Sequence, residues 1–141
     1  MHVNFTNYLF VLGFNSMAIN DSPLEAWEQE QTFRWIRANQ IRYPKLQLAY
    51  STLNGVRLPA KLRADMKRQG NRKGVLDIVI PAWSYDRRYC GLYVEMKRRK
   101  GGKVSEEQKE YIRMLLAEGY QALVAKGWNQ AVDHIKKHLG V

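Results

Sequence analysis

Gly74-Val75-Leu76-Asp77-Ile78-Val79-Ile80-Pro81 and, ten residues on, Gly91-Leu92-Tyr93-Val94-Glu95-Met96-Lys97 decide how this chain reads. Both runs are short, rich in branched aliphatic residues and bounded by glycine or proline, which predicts two strands. Each carries a carboxylate, and a buried carboxylate is costly unless it is paired or binds a cation. Side chains alternate along a strand, so Glu95 and Lys97 project from one face. If the two strands form a hairpin, Asp77 comes beside Glu95, and two carboxylates and an ammonium converge at one sheet edge. Hard divalent cations such as Mg²⁺ take oxygen ligands and keep several waters. A cation held by Asp77 and Glu95 would polarise a phosphodiester, and Lys97 would hold or deprotonate a water or neutralise developing charge. The competing explanation is an ordinary Glu95–Lys97 salt bridge with Asp77 capping a turn, because a bare D…ExK pattern is short.

Outward from this pair, Trp83 to Tyr89 reads as an aromatic hairpin tip bearing Arg87 and Arg88, suited either to stacking on unpaired bases or to packing. Residues 97–103 form a basic, glycine-containing loop. A helix follows, with Ser105 and Gln108 as a capping box, Glu106 and Glu107 at its positive end, Tyr111, Ile112, Leu115 and Leu116 as its buried stripe, and Gly119 as its stop. Residues 120–125 predict an apolar strand. The last helix spans 128–139, with Trp128, Ala131, Val132, Ile135 and Leu139 on one face. On the N-terminal side, a helix is predicted from about Pro23 to Asn39, capped by Ser22 with Glu25 as its capping-box partner, and with Trp27, Phe33, Trp35 and Ile36 as apolar surface. Residues 46–53 read as a strand ended by Asn54-Gly55, and Pro59 to Gln69 as a short basic helix. The order predicts an α/β domain with a small sheet of about four strands and helices packed on it.

The 141 residues are 45% hydrophobic and 26% charged, enough for one core and one domain. We divide them into an N-terminal extension, 1–21, and a single domain, 22–141. Whether Met17 is the true start or the extension packs on the domain stays open. The apolar run Tyr8 to Leu12 has no basic residue before it, which argues against a secretory signal. No apolar run is long enough for a transmembrane helix, so no membrane partner is expected. Cys90 is the single cysteine, which excludes an internal disulfide framework and suits a reducing, cytoplasmic setting. His134 and His138, four apart, suit a metal ion less well than a solvated helix face.

The net charge of +10 is wholly local: residues 57–103 hold 14 basic and four acidic residues, and the rest of the chain balances at nine and nine. Such a block suits a polyanion, above all nucleic acid. The candidate DNA contacts are Arg57, Lys61, Lys67, Arg68, Arg72, Lys73, Arg98, Arg99, Lys100 and Lys103.

The run from Gly74 to Lys97 resembles the VRR-NUC family, virus-type replication-repair nucleases of the PD-(D/E)XK superfamily. Asn54-Gly55 before a basic helix, the segment KVSEEQKEYI (103–112) and the ending EGYQALVAKGWNQAV (118–132) are similar to that family too, in the same order. The resemblance spans about residues 25–139. It implies a restriction-endonuclease-like core with a mixed sheet, and Mg²⁺- or Mn²⁺-dependent cleavage of DNA phosphodiesters. It implies Asp77 and Glu95 as metal ligands and Lys97 as the catalytic lysine. The family's first-helix glutamate, four residues before a glutamine, corresponds to Glu25 with Gln29, and Glu28 is the alternative. Gln108 resembles a position near the family's site, against its competing role in the capping box. Leu76 stands where the family usually has proline. Small stand-alone members look like branched-DNA nucleases, which implies Holliday-junction cutting by a homodimer, with flap or nicking activity close behind, and a phage or prophage origin in a bacterial host. A DNA-binding module without catalysis is the rival from another class, and an RNA-processing protein a third.

Overall fold

The computed structural model describes residues 24–52 and 57–141. The proposed cap by Ser22 and Pro23, the Asn54-Gly55 turn and the extension 1–21 lie outside those residues.

Helix α1 (Glu25–Asn39) starts after Leu24, which makes no side-chain cap. Glu25 is therefore the first helical residue and not the third residue of a capping box. Its buried stripe is Glu28, Thr32 and Ile36, spaced one turn apart, while Trp27 is left exposed. The strand expected over 46–53 is mostly a 3-10 turn, Pro44–Leu48, followed by a two-residue strand β1 (Tyr50–Ser51). Pro44 has no N–H for a ladder and fixes its own φ, favouring the turn. Leu46 is fully buried, but Leu48 and Tyr50 are about half exposed, so the apparent alternation was not a buried strand face. Helix α2 (Ala60–Arg68) comes next.

β2 (Ile78–Ile80) and β3 (Leu92–Lys97) form the predicted hairpin, with Ile78 opposite Val94 and Ile80 opposite Leu92. Helix α3 (Glu106–Ala117) crosses to β4 (Gln121–Lys126), which runs parallel to β3. Helix α4 (Trp128–Leu139) ends the fold. The sheet order is β1-β2-β3-β4, a mixed four-strand sheet with helices on it.

Period two along β3 divides the core. Leu92, Val94 and Met96 pack with Ile78, Ile80, Ile36, Ala131 and Ile135, under α1 and α4. Tyr93 joins Leu76, Ala122 and Leu115 under α3, so Glu95 and Lys97 face the α3 side. Leu116, expected in the α3 stripe, is half exposed. The histidines of α4 do not lie on a solvated face. His138 is buried, its ring nitrogens against Gln121 Oε1 and the Ala82 carbonyl, both at 2.8 Å, and His134 Nε2 lies 3.2 Å from the Val124 carbonyl.

Candidate active site

Continuing the β2–β3 register by one pair brings Asp77 opposite Glu95. There the ladder changes character: Asp77 Oδ2 accepts the Met96 backbone N–H at 2.8 Å. Its own carbonyl accepts from Thr52 N–H at 2.9 Å, and Thr52 Oγ1 donates to the Leu76 carbonyl at 2.9 Å. Asp77 is thus fixed from both neighbouring strands. Leu76 is fully buried against Leu115 and Ala122, which anchors the approach to Asp77 by packing.

Glu95 is 1% exposed. Its Oε1 accepts from Lys97 Nζ at 2.7 Å and from Gln108 Nε2. Its Oε2 is buried with no hydrogen-bond partner among the described residues, and an unmade bond of that kind costs about 1–3 kcal/mol or more for a charged group. Glu25, in the first turn of α1, completes the group: one carboxylate oxygen each from Glu25, Asp77 and Glu95 lie within 4.8 Å of one another. Buried like charges at that separation resist ionisation. Burial, then the charge of Glu95, pushes Asp77 up to about 7 from 3.8. Burial also raises Glu95, against the pull of Lys97. Burial alone would lower Lys97, but the hydrogen bond and charge of Glu95, with Glu25 and Asp77, outweigh it and hold its pKa above the ordinary value. Three convergent carboxylates, one of them with an oxygen left unpaired among the described residues, are hard donors that fit a divalent cation.

Gln108 makes contacts in two directions, to Ser105 and to Glu95. Its Oε1 accepts from the Ser105 N–H at 3.0 Å while the Gln108 N–H donates to Ser105 Oγ at 3.1 Å, closing the capping box. With the amide oxygen so occupied, the NH₂ faces Glu95.

Glu28 lies elsewhere. It is fully buried and accepts from Arg99 Nε and from the Trp128 backbone N–H, both at 2.8 Å. It neutralises the N-terminus of α4 and ties the first turn of α1 to the loop after β3. Gln29 is half-buried, and no hydrogen bond joins it to the site among the described residues. The Glu28–Arg99–α4 connection escaped the sequence reading. Its only sequence trace is the stripe Glu28-Thr32-Ile36, a glutamate in register with a core isoleucine.

The basic residues also divide. Arg68 pairs with Asp65, Lys73 with Glu107 at 2.9 Å, and Arg99 with Glu28, while Arg72 lies 5.0 Å over the Tyr111 ring. Arg57, Lys61, Lys67, Arg98, Lys100 and Lys103 are exposed and make no ion pair among the described residues. The aromatic tip sits at the opposite end of β2 and β3 from Asp77 and Glu95. Arg87 lies 5.9 Å over Trp83 there, and Tyr85 N–H donates to the His138 carbonyl at 2.9 Å.

The family model described as the VRR-NUC domain matches residues 17–129, most of the chain. The chain belongs to the VRR-NUC domain family. That is a family of nuclease domains, so a nuclease-like function acting on DNA and an acidic cluster compatible with a divalent cation are what membership supports. A solved structure described as "VRR_NUC domain protein" superposes with a TM-score of 0.69 at 27% identity, over 85% of this chain and 91% of that one. No curated protein matches. Among the described residues no helix is long and apolar enough to cross a membrane.

Proposed function

We propose that this VRR-NUC domain is an endonuclease that hydrolyses DNA phosphodiesters with Mg²⁺ or Mn²⁺ held by Glu25, Asp77 and Glu95. The observation that carries the reading is the convergence of those three carboxylates within 4.8 Å, beside the Lys97 ammonium on Glu95 Oε1. A bound divalent cation supplies a Lewis acid that polarises a phosphoryl oxygen and lowers the pKa of a water. Lys97, kept protonated by its raised pKa, serves as a fixed cation for the charge that develops on the phosphoryl oxygens, in preference to acting as a base. Gln108 and Lys97 together fix the Glu95 carboxylate, so little reorganisation is needed when substrate arrives. Exposed lysines and arginines of the 57–103 block attract the phosphate backbone.

The substrate within that reading is branched DNA, with a Holliday junction first and flaps or nicks next. A homodimer is its natural form, since two symmetric cuts need two sites related by a two-fold axis. This choice, a phage or prophage origin, and work in a bacterial cytoplasm rest on the family resemblance.

Labelled junction, flap, linear duplex and RNA substrates, each with Mg²⁺, Mn²⁺ or EDTA, test the proposal. Junction or flap cleavage that needs the cation is expected. Asp77→Asn and Glu95→Gln should each slow it by about 10²–10³-fold or more while leaving DNA binding in EDTA in place. Cleavage that survives both substitutions refutes the assignments, and binding without any cleavage by the unaltered protein leaves a DNA-binding module.

A further inference from the structure

Helix α2 has no buried residue and lies against no other helix or strand among the described residues. A nine-residue helix is marginal in water by itself, so something outside the core must profit from it. Residues 57–73, which contain α2, carry seven basic residues and one acidic residue, Asp65. Of the seven, Arg68, Arg72 and Lys73 are occupied with Asp65, Tyr111 and Glu107. Arg57, Lys61, Arg63 and Lys67 are exposed and have no acidic partner among the described residues. Residues 1–23 bring one formal charge, Asp21, too little to neutralise them.

The root of this arm meets α3 a few residues before Asp77. Lys73 reaches Glu107 in the first turn of α3, and Arg72 stacks on Tyr111 one turn later. Gly74 has a φ of +84°, and a Cβ there would come within 2.8 Å of Glu107 Cβ, so the chain passes α3 where only glycine fits. Asp77 follows Lys73 by four residues, a reach of at most about 14 Å.

We infer that α2, with Arg57 three residues before its start, is a docking arm for the sugar–phosphate backbone of duplex DNA flanking the cut, with Arg57, Lys61, Arg63 and Lys67 as the phosphate contacts and Arg72 and Lys73 as its anchor on α3. The inference rests on the nuclease reading for the identity of the polyanion. Three separate cations on a helix that packs on no other described element, with a fourth just before it, match a repeating phosphate ladder, and a polyanion is the occupant whose charge complements them.

The test replaces all four residues by alanine, which keeps helix propensity high. Binding to a labelled linear duplex is measured in EDTA across a KCl series, and hydrolysis of bis(p-nitrophenyl) phosphate with Mn²⁺ is measured beside it. The salt slope of log affinity should fall by about 3–4, with the melting temperature unchanged. Lys61→Glu with Lys67→Glu, on the intact background, should weaken binding further than alanine at the same two positions. An unchanged slope overturns the arm. So does a loss of mass on Leu62→Asp, because the occupant is then a second copy. If the unaltered protein fails to hydrolyse the diester, the nuclease reading falls while the slope still decides the arm.

Discussion

Asp77 holds the balance of the site in one proton. With its pKa at about 7 in the folded protein and 3.8 as the reference, the folded state binds that proton more tightly than the unfolded chain. The stabilisation is complete below about pH 4 and is lost as pH rises through about 7, on the order of 2–4 kcal/mol. Without divalent cations, Asp77→Asn should therefore gain stability over the unaltered protein as pH goes from about 5 to about 8, read from urea midpoints. His138 pulls the other way: burial lowers its pKa, so its contribution grows as pH rises toward its unfolded value and is complete above it, and the Asp77→Asn comparison cancels it. Gln108→Ala removes both the bond to Glu95 and the return half of the capping box. It should cost about 1–2 kcal/mol in urea unfolding and slow cleavage. Sequence offered the capping box and the site contact as rivals because one side chain's two ends are invisible in a linear pattern.

At the scale of elements, the first turn of α1 has to be held for Glu25 to meet Asp77 and Glu95, and Leu24 gives it no cap. Glu28 does this from three residues away, through Arg99 and the α4 N-terminus. Glu28→Gln should lower stability by about 1–3 kcal/mol, discounted because Arg99 is half exposed, and should reduce cleavage as Glu25 loses its anchored turn. The exposed pair Arg34–Glu30 on the same helix is the control: Glu30→Gln should change the urea midpoint by no more than about 0.5 kcal/mol. The hairpin and α3 were legible because alternation and capping are local codes. Residues 46–53 were not, since the alternation of Leu46, Leu48 and Tyr50 cannot reveal which of them finds a core.

For the whole molecule, the site stores unfavourable charge that a cation bound as proposed would relieve. Saturating Mg²⁺ or Mn²⁺, at about 100 times its dissociation constant, should raise the melting temperature by about 8 °C in calorimetry or fluorescence. K⁺ at the same ionic strength should not, and Asp77→Asn should blunt the rise. Net charge is arranged on the same scale. The +10 of residues 57–103 lies on both sides of the Asp77–Glu95 strands in sequence, but the fold consumes part of it in ion pairs and leaves α2 and the loop after β3 to face a polyanion.

By itself the sequence settled the strand pair, the face shared by Glu95 and Lys97, the Ser105–Gln108 cap and the family resemblance, because each is written within a few residues or in the order of short motifs. Only the tertiary structure decided that Glu25 and not Glu28 comes beside Asp77, that His138 is buried, and which arginines and lysines are already engaged. The reason is distance along the chain. Glu28 finds Arg99 71 residues away and Trp128 100 residues away, and no local periodicity encodes such partners.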